Sequence, residues 1–78
     1  MQKFIVNLNS INKIKEFSND ISQFESDVDV VSGRYVIDAK SIMGLFSLDL
    51  SKPIQIMIHS DNEFELERFA ATMKNYEV

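Results

Sequence analysis

The chain has no cysteine. Neither a disulfide framework nor a thiolate metal site can be built from it, and the omission fits a reducing compartment. It has only two arginines, Arg34 and Arg68, and a formal charge of −4. Nucleic acid, whose phosphates demand concentrated positive charge, is therefore a poor direct partner. The opening Met-Gln-Lys-Phe-Ile-Val-Asn has no basic segment followed by an apolar one, and no stretch is apolar enough to span a bilayer. The expectation is a cytoplasmic protein without a signal peptide or a membrane contact. Proline occurs once, as Pro53, and histidine once, as His59. No glycine-rich loop and no nucleophile–base pair is present, so no enzyme, cofactor or metal centre is expected.

What is present is globular. Hydrophobic residues make up 45% and charged residues 26%, which excludes a disordered chain. With 78 residues and no linker, repeat or low-complexity tract, the expectation is one domain, 1–78, around a modest core.

Phe4, Val6 and Leu8 alternate with Ile5 and Asn7, which predicts a strand over about 3–8. Asn9 or Ser10 can cap a helix. Ile11, Ile14, Phe17, Ile21 and Phe24 follow at spacings of three and four, one apolar stripe on a helix over about 11–24. Val28 and Val30, then Ser32-Gly33, then Tyr35, Ile37 and Ala39 predict a hairpin. A two-residue loop at Ser32-Gly33 pairs Val31 with Arg34, Val30 with Tyr35 and Val28 with Ile37. Val28, Val30, Tyr35 and Ile37 then face the core, and Asp29, Val31, Arg34 and Val36 face away. Ile54, Ile56 and Ile58 predict a fourth strand with the isoleucines inward. Asp61 or Asn62 can cap a last helix with the stripe Leu66, Phe69, Ala70 and Met73, and with Glu63 and Glu65 in its electropositive first turn. The order β-α-β-β-α-β-α predicts an α+β sandwich, helices on one face of a mostly antiparallel sheet.

The stretch from Asp38 to Pro53, Asp-Ala-Lys-Ser-Ile-Met-Gly-Leu-Phe-Ser-Leu-Asp-Leu-Ser-Lys-Pro, is short for a helix and apolar for a connection. Treated as a helix over 41–49, it puts Ile42, Met43 and Phe46 within one arc of about 100°, and Leu45 and Leu48 in another. Either one arc is left exposed as a contact surface, or the helix is wedged deeply enough to bury both. Ser41 occupies the N-cap, which alone explains a serine. A phosphate there would meet free N–H groups and the positive end of the helix dipole, with Lys40 as a neighbouring cation. It would add charge beside the Ile42–Met43–Phe46 face without unfolding anything.

Lys40-Ser41-Ile42-Met43-Gly44, followed by Ser47-Leu48 and Lys52, resembles the HPr family of the sugar phosphotransferase system, in its low-GC Gram-positive form. The similarity is densest over residues 26–60. The resemblance implies an open-faced β-sandwich with three helices on a four-stranded antiparallel sheet. It also implies two phosphorylation sites. One is a regulatory serine, here Ser41, phosphorylated by the HPr kinase/phosphorylase, after which the protein binds the catabolite repressor CcpA. Lys40, Ile42, Met43 and Phe46 would form the adjoining partner surface, with Leu45 and Leu48 turned inward. The other is an active-site histidine at the start of the first helix, and it does not carry over. The matching region, Leu8-Asn9-Ser10-Ile11-Asn12-Lys13-Ile14-Lys15, has no histidine, arginine or proline, and Ser10 falls nearest the histidine position. A serine cannot replace it, because relay depends on a nitrogen nucleophile that titrates near neutrality.

The leading expectation is a regulatory HPr-like protein without histidine phosphorelay, similar in logic to the catabolite-repression HPr of bacilli. The alternatives are a genuine phosphocarrier between enzyme I and the sugar permeases, and a non-phosphorylated interaction module. The last would use the outer sheet face, where Ile5, Val31, Val36 and Met57 would form a homodimer contact. His59 is expected on that outer face, as are Asp27, Asp29 and Asp38, all read as a solvated strand surface.

Overall fold

Alternating apolar and polar residues build four strands, β1 (Gln2–Val6), β2 (Asp27–Ser32), β3 (Tyr35–Asp38) and β4 (Ile54–His59). The computed structural model describes residues 2–77, without the side chains of Gln2 and Ile42. The strands form one antiparallel sheet in the order β1-β4-β2-β3. β4 separates β1 from β2, and β2 separates β3 from β4, so the two pairs joined through helices run parallel one place apart. Each connection must therefore cross a sheet face. Helices α1 (Ile11–Ile21) and α2 (Ile42–Phe46) make these crossings, and α3 (Glu63–Met73) follows β4. The result is the α+β open-faced sandwich read from the sequence: β-α-β-β-α-β-α, three helices on one face of a four-stranded antiparallel sheet.

The core lies between the layers. Val6, Val28, Val30, Ile54, Ile56 and Ile58 bury the inner sheet face against Ile14, Phe17 and Ile21 of α1, Leu45 of α2, and Phe69 and Met73 of α3. Phe69 sits with its ring centroid 5.1 Å from that of Phe24 and 5.4 Å from that of Phe4. Tyr76 meets Phe17 edge-on at 5.3 Å and donates its hydroxyl to Asp20 Oδ2 at 2.6 Å. Burial, then the Asp20 carboxylate, push that hydroxyl above its ordinary pKa. Asn7 N–H donates to the Tyr76 carbonyl at 2.8 Å, tying the chain's last turn to the end of β1.

Several boundaries move from their expected places. β1 ends at Val6, and Leu8 is buried from the loop that follows. α1 stops at Ile21, short of Phe24. Its end tightens into three-residue hydrogen bonds, Gln23 to Asp20 and Phe24 to Ile21, while the Ser22 hydroxyl donates to the Asn19 carbonyl. Phe24 is buried from the loop instead.

The hairpin turns at Gly33-Arg34 rather than Ser32-Gly33. Ser32 pairs with Tyr35, Val31 with Val36 and Val30 with Ile37. Gly33 is the residue with positive φ, at 59°. A type II′ turn needs that conformation at its first central position, so the glycine pulls the turn one residue along. Moving the turn by one residue shifts each partner by two, so every side chain keeps its face. Tyr35 nevertheless departs from the expected core. It lies beside the turn on an edge strand, beyond the helices, and is 68% exposed.

Asn62 is the cap of α3, accepting from the N–H groups of Phe64 and Glu65. Glu65 does more than complement the helix dipole. It is the buried charged residue among those described. Its carboxylate accepts from the N–H groups of Glu25 and Ser26 and from the Ser26 hydroxyl, clamping the α1–β2 loop to α3. The Ser26 and Ser60 hydroxyls, outweighing burial, lower its pKa from 4.5 to about 2. A depressed carboxylate pKa contributes stability above the unfolded value and loses it as pH falls through the folded one. Glu65→Gln is thus expected to destabilise the protein at neutral pH by on the order of 2 kcal/mol. In urea unfolding, the wild-type advantage should be complete above pH 4.5, shrink toward about 2 and vanish below it. An advantage constant across that window would sink this account.

Candidate functional site at the second helix

The site is built on α2 and its approach. Asp38 ends β3, and its side chain accepts from the Lys40 N–H at 2.9 Å, bending the chain off the sheet. Ser41 is extended, with φ −93° and ψ 99°, and its Oγ accepts from Gly44 N–H at 3.3 Å as the N-cap. At the other end the Ser47 hydroxyl donates to the Gly44 carbonyl at 2.6 Å. These caps limit the helix to Ile42–Phe46, shorter than the expected 41–49.

Only one arc is buried. Leu45 is fully buried and Leu48 half-buried, whereas Met43 is 78% exposed and Phe46 44%. Ile42 was placed on the same exposed arc, but its side chain lies outside the described residues. Ser41 is exposed. Lys40, read as the cation beside Ser41, also has a partner of its own. Its ammonium donates to the Phe24 carbonyl at 2.7 Å, in the loop after α1, so it serves as a tether there.

Gly44 sets how closely the helix lies on the sheet. A β-carbon at this position would stand 2.6 Å from Ile37 Cγ2 of β3. Only hydrogen in place of a side chain permits that approach.

The start of α1 stands near the segment that follows α2. Ser10 caps α1 by accepting from Lys13 N–H at 3.1 Å. With Leu8, Ile11, Ile14 and Leu50 it lines a shallow hollow of about 250 Å³. Ile11, read as the first member of the core stripe, is 62% exposed. Its position at the first turn, where a stripe runs off the end of the core, was the available signal.

His59 lies on the sheet face that the helices leave open, opposite Asp27 in the β2–β4 register. Its Nε2 lies within hydrogen-bond distance of Asp29 Oδ2, at 2.6 Å. Asp27, Asp29, Asp38 and His59 line one hollow, but no group of three or more potential ligands among the described residues is placed to hold a metal. No described helix is long and apolar enough to cross a membrane.

The fold and sequence have relatives. The family model of the PTS HPr component phosphorylation site matches residues 6–75. The structure is similar to HPr-C-His from Thermoanaerobacter tengcongensis, with a TM-score of 0.75 and 20% identity over 96% of this chain and 93% of that one. It is also similar to the histidine-containing phosphocarrier protein of Mycoplasma, with a TM-score of 0.68 and 18% identity over 95% of this chain and 93% of that one. No curated protein matches the sequence. At these identities the solved structures bear on the fold, whereas the family model covers nearly all of the chain and both of its candidate surfaces; the chain belongs to the HPr family of the phosphotransferase system.

Proposed function

We propose that this chain is a regulatory HPr-like protein, a single cytoplasmic domain that acts through Ser41 and the Met43–Phe46 surface without histidine phosphorelay. One contrast carries the reading. The start of α1 offers a capping serine, Ser10, whose oxygen accepts from Lys13 N–H, and no imidazole. The start of α2 offers an exposed serine beside two exposed apolar side chains. The one histidine is engaged with Asp29 on the open sheet face. A phosphate ester on Ser10 would transfer poorly, because an alkoxide is a far worse leaving group than an imidazole at neutral pH. A phosphate on Ser41 would instead replace a weak cap by a dianion beside Met43 and Phe46, changing the surface a partner meets.

The expected partners are an HPr kinase/phosphorylase and a CcpA-like regulator. Incubation with that kinase and ATP should place phosphate on Ser41, and Ser41→Ala should abolish the label. Incubation with phosphoenolpyruvate and enzyme I should give no acid-labile phosphate. Label from enzyme I on His59 would instead establish a rebuilt phosphocarrier.

A second reading rests on the open sheet face, where Ile5 is 49% and Val36 65% exposed at opposite edges. A homodimer through this face would appear in light scattering at high concentration; a monomer there removes it.

A further inference from the structure

Beyond α2, the hairpin tip and the α2–β4 loop enclose a cleft of about 430 Å³. This is within the range of about 300–1,000 Å³ that small ligands occupy. Arg34 enters it from the β2–β3 turn, and Lys52 from the loop opposite. Both side chains are exposed, and neither forms an ion pair among the described residues. That arrangement runs against the chain's own charge, since acidic residues outnumber basic ones by twelve to eight. The one carboxylate lining the cleft is Asp49. Its Oδ1 already accepts from the Ser51 hydroxyl at 2.5 Å and the Ser51 N–H at 3.2 Å, and these bonds, with a smaller contribution from the nearby Lys52 charge, hold its pKa below the usual carboxylate value. It remains charged and turned to Ser51.

The rest of the cleft is complementary to an organic group. Tyr35 is 68% exposed, and Leu48 and Pro53 add apolar wall. Gly33 leaves the mouth open, with nothing within 4 Å of where a side chain would begin. This explains what the core pattern could not. Tyr35 is an aromatic residue held outside the core, next to a cation, at the rim of a concavity.

We propose that this cleft binds a small organic phosphate monoester, its dianion held by Arg34 and Lys52 and its flat or apolar part laid on Tyr35. The guanidinium offers paired donors matched to two phosphate oxygens, and the ammonium a compact second charge. An aromatic ring gives a flat group a face to stack on. The site is separate from Ser41 and does not depend on its phosphorylation.

Phenyl phosphate is the probe, with phenol and inorganic phosphate as its two halves, followed by amide NMR on the whole chain. Phenyl phosphate should shift the Gly33, Arg34, Tyr35 and Lys52 resonances saturably, and more tightly than either half alone. The R34Q/K52Q double variant changes two exposed side chains, so its remaining spectrum should be unaltered. Its affinity should fall about tenfold or more, and the wild-type affinity should weaken as salt is raised. Shifts that never saturate, equal binding of phenol, equal binding of inorganic phosphate, or an affinity unchanged in the double variant would each overturn the proposal.

Discussion

Phe69→Ala is expected to remove about 4 kcal/mol of stability. A chain of this length has roughly 4–12 kcal/mol in total, so this one substitution should remove at least about a third of the stability. Phe69 is fully buried and, with Met73, packs α3 into the core. Its ring meets Phe4 of β1 on one side and Phe24 of the α1–β2 loop on the other. Truncation would leave a cavity among groups that cannot collapse into it. Phe24 is held by the Arg68 guanidinium 5.0 Å over its ring and by the Lys40 ammonium on its carbonyl. Phe4 is fixed by the β1–β4 ladder. Phe64, on the same helix and 80% exposed, is the control. Phe64→Ala should change stability by no more than about 0.5 kcal/mol. Thermal and urea unfolding of the two variants checks the contrast, and comparable losses would refute it.

Gly44→Ala should also destabilise, against its helix propensity. In an exposed helix, alanine in place of glycine gains about 1 kcal/mol. Here the new β-carbon would meet Ile37 Cγ2 at 2.6 Å. That methyl sits on a branched β-carbon and cannot retreat without turning the whole side chain out of its rotamer. Either Ile37 turns or α2 lifts from β3, and the expected net loss is about 2 kcal/mol. The loss should be local, with hydrogen exchange accelerating at Leu45 and Leu48 more than in β4. Adding Ile37→Ala removes the opposing methyl, and the pair should be less destabilised than the sum of the single variants. Additive effects would place the cause elsewhere. The same variant probes function, because a lifted α2 misplaces Met43 and Phe46, and with them the proposed surface around Ser41.

Much of this was legible in the chain. Alternation of period two named the inward residues of β2 and β4, and spacing of three and four named Phe17, Ile21, Phe69 and Met73 as core. Ser41 was recognisable as a cap, and the other two caps were narrowed to adjacent pairs, Asn9 or Ser10 and Asp61 or Asn62, because capping is a contact within three residues along the chain; the structure selects Ser10 and Asn62. The separation of Leu45 from Met43 and Phe46 followed from helix geometry, and the resemblance settled which side faced out. Tyr35 misled because an apolar position in a strand pattern marks a face, and whether a helix covers that face at the hairpin tip is not local information. The turn misled because both Ser32-Gly33 and Gly33-Arg34 place a glycine in a two-residue loop, and only the backbone angle distinguishes them.

The sequence alone determined the element order, the face each regular residue takes, the cap of α2, and that no histidine stands at the start of α1. These depend on the identity and near neighbours of each residue. The tertiary structure alone decided that Glu65 clamps a loop some forty residues earlier, that Lys40 reaches back to Phe24, that Gly44 must lack a side chain, and that Arg34, Tyr35 and Lys52 share one cleft. Each of these joins segments distant in the chain, and no spacing along a sequence specifies which distant atoms a fold will bring within a bond's reach.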